Sequence, residues 1–418
     1  MKVLILTVGG SPEPLKKAIN YLKPDFIYFI TSDDTSTQKG SYTQIEGSDS
    51  STIPNELKLP SDSWESIRVK NADDLDSIFE KIRETIKKAK KRFPSAQFLI
   101  DYSGGTKSMS IGLALAGIEE SCELHFVGGL RKDLNKVASG SETVLKIKIQ
   151  SLRYDNLIKQ VDMLWSNYYY FSAATLVEDT IPVLSREKEE NAKLILFASK
   201  GLGEWERFQY KKAVELLGPI SDSSDKLKEF AEITGILKGS IEKGGDYIVV
   251  LDILKNAERR AKQERFDDAV GRVYRAVELM AQIRLRKEYK IDSSAVPVNR
   301  VPPELRGEFL TKYSKDKEGN LKIPLMASYK LLVSLKDPIY KEWFADNKRL
   351  IEDFLTSRNN SFYAHGLNPI DITKFKKAQE VVKKIIELIE QLGPKECKIL
   401  PEQFPDFPRS VHDIFTSL

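Results

Sequence analysis

Histidine and cysteine are scarce in this chain: three and two residues among 418. Cys122 and Cys397 alone cannot build a zinc site or a disulfide framework, a usage that fits a reducing cytoplasm. No run approaches eighteen consecutive apolar residues, so no transmembrane helix is expected. The opening MKVLILTVGGSPEP has an apolar stretch too short for a secretory core, and it reads as a strand. Excess charge of one sign is missing too. Sixty-five basic residues meet sixty-one acidic ones, leaving a net +4. Any nucleic-acid contact must therefore come from a local patch rather than bulk charge. What remains is a chain long enough for two or three domains.

The first 150 residues alternate strand and helix signals. KVLILTV (2–8) is an unbroken apolar run, as expected for a strand covered on both faces of a parallel sheet. Ser11, Pro12 and Glu13 read as an N-cap, an N1 proline and an acidic first turn. DFIYFIT (25–31), AQFLIDY (96–102) and CELHFVGG (122–129) read as further strands. A long amphipathic helix is expected over 71–93, and a shorter apolar one after residue 107. Residues 32–63 are rich in Ser, Thr, Asp and Gly and read as a long loop or insertion. Strands separated by helices imply right-handed crossovers in a doubly wound sheet.

Two glycine turns follow strands: Gly9-Gly10-Ser11, and Ser103-Gly104-Gly105-Thr106-Lys107. Strand C-terminal ends in such a sheet line one edge, where ligands bind. Glycines let the backbone approach a ligand, helix-start N–H groups favour an anion, and Lys107 adds a full charge. Thr106 stands where a Walker A loop needs glycine before its lysine, and neither turn has the G-x-G-x-x-G spacing. Each pair also satisfies a simpler reading as a tight strand-to-helix turn.

From 151 onward the periodicity is helical and strand alternation disappears, without an internal repeat of fixed period. The stretch 252–286 reads as a helical hairpin turning near 264–267, with Val270, Val273, Tyr274, Val277 and Met280 on its buried stripe. Arg284 and Arg286 read as a solvated face, whereas Arg272 and Arg275 are open to a role at an RNA groove. Residues 291–322 are proline-rich and read as irregular. A helical pattern runs through KEWFADNKRLIEDFLTSRNNSFYAHG, with Gly366 as its stop and Pro369 preventing continuation.

Arg358 and His365 lie in its last turns. Seven residues make almost two turns of a helix, which would put both on one face roughly 10 Å apart along the axis. Histidine moves protons near neutral pH, and arginine's planar fork stabilises a phosphorane-like transition state. That pair suits attack of an RNA 2′-hydroxyl on its neighbouring phosphorus without a metal. Asn359 and Asn360 are placed to orient substrate or imidazole. The plain alternative makes His365 a helix-end residue on the C-terminal dipole and Arg358 a solvated charge. His125 reads as a sheet histidine, and His412 has no partner near in sequence.

These motifs resemble a known family. TVGGSPEPL and DYSGGTKSM on an α/β domain look like the ligand-facing motifs of CARF domains. AERRAKQERFDDAVGRVYRAVELMAQ with RNNSFYAHG looks like a HEPN ribonuclease domain with its R-x4–6-H motif. In that order they resemble the CARF–HEPN ribonucleases of type III CRISPR systems, the Csm-type ancillary nucleases. The resemblance implies an α/β Rossmann-like parallel-sheet CARF-like domain at 1–150, a helical linker region at 151–250 and an all-α HEPN-like domain at 251–418. It places a cyclic oligoadenylate, of four or six nucleotides, as allosteric activator on Gly9, Gly10, Ser11, Ser103, Gly104, Gly105, Thr106 and Lys107. It makes Arg358, Asn359 and His365 catalytic, with no metal or cofactor.

The expected protein is a cytoplasmic homodimer that cuts single-stranded RNA in antiviral defence, leaving a 2′,3′-cyclic phosphate. A symmetric ligand matches a two-fold interface. Hydroxyls at Ser11, Ser103 and Thr106 would also permit slow cleavage of the activator. The alternative from another class is a nucleotide-sensing module that binds RNA or regulates transcription without catalysis. The segments 32–63 and 291–322 have no clear place in the family pattern.

Overall fold

The computed structural model describes residues 1–35, 39–47, 51–129, 143–147 and 149–415. It forms two compact units, Met1–Ile149 and Gln150–Leu418.

The first unit is built on six strands: β1 (Lys2–Thr7), β2 (Phe26–Ser32), β3 (Trp64–Val69), β4 (Gln97–Asp101), β5 (Glu123–Gly128) and β6 (Thr143–Lys146). Their order is β3-β2-β1-β4-β5-β6, parallel except for β6, which runs antiparallel to β5. The apolar run of β1 is unbroken because both faces are covered. Val3 and Ile5 join the core under α3 (Leu75–Arg92) and α4 (Lys107–Glu119). Leu4 and Leu6 join the core under α1 (Glu13–Leu22). Within 32–63 the described residues form a 3-10 turn at Ser41–Gln44 and a one-turn helix, α2 (Ile53–Glu56); Ile45 and Ile53 are buried. Pro12, rather than Ser11, holds the N-cap position of α1, with no side-chain cap.

The second unit is all helical. Its first five helices are α5 (Gln150–Ser166), α6 (Tyr170–Thr180), α7 (Arg186–Glu206), α8 (Tyr210–Leu217) and α9 (Asp225–Glu242). They are followed by α10 (Tyr247–Lys262), α11 (Phe266–Tyr289), α12 (Pro303–Lys312), α13 (Leu325–Ser334), α14 (Tyr340–Asn359) and α15 (Ile372–Glu396). One hydrophobic core runs from Tyr154 to Phe415, so 151–250 packs with the later helices rather than apart from them. The segment 291–322 is only partly irregular, since it contains α12.

Three of the hairpins share one turn geometry that the sequence conceals. Tyr168, Phe208 and Glu264 each take a left-handed φ near 60°. In each turn the next residue donates its N–H five residues back: Tyr169 to Leu164, Gln209 to Glu204 and Arg265 to Arg260. The uneven spacing hides the repetition, although the first two turns share Trp165 with Trp205 and Tyr170 with Tyr210. Bulky residues at positive φ carry strain that the packed hairpins hold in place.

Candidate functional site

Parallel pairing of β1 with β4 sets Leu6 beside Asp101. The turns after these strands therefore lie side by side at the point where strand order reverses, the customary ligand crevice of a doubly wound sheet. They interlock through their glycines. A Cβ on Gly9 would overlap the Gly105 backbone, and one on Gly104 would overlap the Thr7 carbonyl. Gly105 has φ +88°, a conformation side chains disfavour. Gly10 has open space around it, so packing does not require glycine there.

The hydroxyls divide into committed and free. Thr106 caps α4 by accepting the Met109 N–H at 3.2 Å and donates to the Ala72 carbonyl. Ser103 Oγ accepts the Val127 N–H at 2.6 Å. Thr7 and Ser110 both donate to the Gly104 carbonyl, at 2.6 and 2.8 Å. That carbonyl is thereby turned inward, and Ser11 and Lys107 remain exposed. Sequence reading missed two neighbours. Gln44 donates to the Gly9 carbonyl at 2.6 Å, inside the stretch read as loop. Asp101 is fully buried at the end of β4; its Oδ1 accepts the Ser103 N–H at 3.1 Å, and its Oδ2 has no hydrogen-bond partner among the described residues. Burial pushes its carboxyl up to about 6, against the pull of the Ser103 hydrogen bonds. The lone carboxylate closing the apolar run FLID was the available signal.

The R-x6-H motif sits in the second unit, and its geometry departs from the expected continuous helix. α14 ends at Asn359, and Asn360 is its C-cap. His365 lies on the turn beyond, so it does not share the helix face with Arg358. The chain folds back: Ser361 N–H donates to the Arg358 carbonyl at 3.0 Å, and His365 N–H to the Asn359 carbonyl at 3.1 Å. Gly366 N–H then closes on the Ser361 carbonyl at 3.2 Å. Gly366 is the crossing point rather than a helix stop, because a Cβ there would overlap the Asn360 carbonyl. Farther on, Ile370 N–H donates to Asp267 of α11 at 3.0 Å, tying the loop's exit to the hairpin.

Arg358 lies over the Tyr274 ring of α11, 4.3 Å from its centroid, and donates to Asn359 Oδ1 at 3.1 Å. No carboxylate pairs with it among the described residues. A guanidinium held by stacking and a neutral amide keeps most of its donors for an anion. His365 is exposed, and so are Phe362, Tyr363 and Leu367 around it, at 60%, 69% and 79%. No three His, Cys, Asp or Glu side chains gather as a metal-binding group among the described residues.

The other arginines fare differently. Arg284, expected on a solvated face, is buried and donates to Asp337 at 2.7 Å. Arg286 bonds the Gly244 carbonyl, and Arg275 pairs with Glu278 on its own helix. Arg272 is half-buried against Asp268. His125 is buried in β5 with its Nε2 2.9 Å from Glu123, and His412 is exposed. No helix among the described residues is long and apolar enough to cross a membrane.

Comparison with known proteins bears on both units. Residues 239–389 match the family model of the Csm6 HEPN domain. This range contains α10, α11, α14 and the motif loop. Among solved structures the chain is similar to Enterococcus italicus Csm6 bound to cyclic hexa-2′-fluoro-hexa-dAMP, at 16% identity and a TM-score of 0.63. The match covers 94% of this chain and 95% of that one, and it establishes a shared fold. No curated protein matches in sequence.

Proposed function

We propose that the chain is a CARF–HEPN ribonuclease of the Csm6 type and that a cyclic oligoadenylate switches on its cutting of single-stranded RNA, a reading supported by the match of residues 239–389 to the Csm6 HEPN domain model and by the fold shared with Enterococcus italicus Csm6. The observation that carries this reading is the motif loop: an arginine with no carboxylate partner among the described residues, and an exposed imidazole on the turn that folds back onto the same helix end. The activator lies along the interlocked turns after β1 and β4. Backbone N–H groups of Gly10 and Gly105, the start of α4 and the Lys107 ammonium meet its phosphates. The ligand of the similar Enterococcus protein supports a ring of six nucleotides.

Cutting needs no metal in this reading. One imidazole takes the 2′-hydroxyl proton while O2′ bonds to phosphorus. The P–O5′ bond breaks, and a second imidazole protonates the leaving oxygen. Products are a 2′,3′-cyclic phosphate and a 5′-hydroxyl. Arg358 meets the extra charge on the five-coordinate phosphorus with donors already oriented by Tyr274 and Asn359. The two imidazoles come from two copies of the chain. Exposed Phe362, Tyr363 and Leu367 beside His365 are apolar surface that a second copy would cover. The protein works as a homodimer in the cytoplasm.

The test is an RNase assay in EDTA with cyclic tri-, tetra- and hexa-adenylate. Wild-type protein is expected to cut single-stranded RNA only when an activator is present. His365→Ala should bind that activator with unchanged affinity and cut nothing. A variant that still cuts at the wild-type rate removes the imidazole from the mechanism. RNA that is bound but never shortened favours a sensing module without catalysis.

A further inference from the structure

The three left-handed hairpin turns of the helical unit meet around one cavity of about 490 Å³. The α5–α6 turn supplies Tyr169 and Phe171, the α7–α8 turn Arg207, and the α10–α11 turn Arg260 and Arg265; Arg272 completes the wall. Guanidinium groups outnumber carboxylates here, since only Glu206 and Asp268 face the four arginines. Both carboxylates are already engaged. Glu206 accepts from Arg259 and Arg260, and Asp268 pairs with Arg265 and Arg272.

One arginine, Arg207, keeps its donors open to the cavity. Arg260 is held by Glu206 and Gln263, and its Nε is buried with no hydrogen-bond partner among the described residues. Arg207 has no carboxylate partner among them and lies over the Phe171 ring, 3.9 Å from its centroid. A solvated charged face explains arginines spread over a convex surface. It does not explain guanidinium groups gathered into a concavity, one with a buried, unused donor. Such a wall suits a phosphodiester. Tyr169, 48% exposed at the same cavity, offers a face on which a base can stack.

The place of the cavity narrows the ligand. A second cavity, of about 570 Å³, shares Phe208, Asp268 and Arg272 with the first and reaches Tyr363 in the motif loop. The two cavities thus adjoin along α11, and the second touches the motif loop at Tyr363, which places the arginines on the side of α11 that a strand leaving the loop would meet. We propose that the arginine cavity is a subsite for single-stranded RNA, holding a backbone phosphate and one base some nucleotides from the cleaved bond. The proposal rests on the ribonuclease reading above and adds to it a length preference.

The experiment uses the full-length protein with activator and two labelled RNAs, a tetranucleotide and a twenty-nucleotide strand. Arg207→Ala/Arg265→Ala removes the two most exposed guanidinium groups and leaves the Glu206 network intact. Tyr169→Ala removes the stacking face. For the long RNA the double variant should raise KM about tenfold, with kcat unchanged. Its dependence on salt should flatten by roughly 0.7 in logarithmic slope for each phosphate that the variant no longer grips. The tetranucleotide should be cut as by wild type, and Arg207→Lys/Arg265→Lys should restore most of the long-RNA affinity. Unchanged KM and salt slope for the long RNA would overturn the subsite, as would equal losses on both RNAs. A wild-type protein that cuts neither RNA overturns the ribonuclease reading itself, a different result from either.

Discussion

Gly366 closes the motif loop by having no side chain. Its Cα packs against the Asn360 carbonyl, and backbone cannot yield as a flexible side chain would. Gly366→Ala must open the turn that carries His365, at a cost of about 1–3 kcal/mol. The strain is local, so the expected result is at least a tenfold loss of RNA cleavage with activator affinity unchanged. Cleavage assays and ligand titration on the same preparation check it. Arg358→Lys probes the other partner. It keeps the charge but loses the fork and the stacking on Tyr274. A fall of about a hundredfold in kcat with little change in KM is expected, the size of losing one transition-state donor. Arg358 and His365 were legible as candidates in RNNSFYAHG; their arrangement was not. Ser361, Phe362 and Tyr363 are compatible with a continuing helix, and the signal that stops it is a backbone contact at Gly366. Arg284 was misread for a related reason, since its partner Asp337 is distant in sequence.

At the level of elements, legibility followed burial. β1, β2 and β4 announced themselves as apolar runs because helices cover both faces. β3 was missed because WESIRV lies at the sheet edge with most of its side chains partly exposed, and β6 is an edge strand of four residues. The β4–α4 connection holds the most testable chemistry. Asp101 is buried beneath the turn assigned to an anion, and burial lifts its carboxyl from the usual carboxylate range to about 6. The folded state therefore holds this proton more tightly than the unfolded chain. Stability from this group is greatest at low pH and falls as pH rises from about 4 to about 6. A rise of that size is worth roughly 3 kcal/mol. Asp101→Asn retains an oxygen for the Ser103 N–H and removes the ionisation. Thermal unfolding of the variant should lose this contribution to the pH dependence, with a melting temperature above wild type at pH 8. An unchanged difference between pH 5 and pH 8 would show that Asp101 is already relieved of its charge penalty.

The whole molecule has a requirement that neither residue nor element meets alone. In the proposed reaction each motif loop offers one exposed imidazole and one arginine, whereas general acid and general base act at opposite ends of the breaking phosphodiester. Phe362, Tyr363 and Leu367 leave apolar surface beside that half-site, and Leu367 is the most exposed of the three. A two-fold pairing across this face would cover the surface and complete the site in one step. Leu367→Asp places two like charges near the axis of such a pair. Sedimentation should then show monomer at concentrations where wild type is dimeric, and specific activity should recover as protein concentration rises. Mixing separates a composite site from two independent ones. When wild-type and His365→Ala chains exchange freely at equal amounts, about a quarter of the dimers carry two intact copies. If both imidazoles serve one scissile bond, specific activity per dimer falls to about that quarter; if each copy cuts by itself, about half remains. The half value would return the second proton transfer to a group within the same chain.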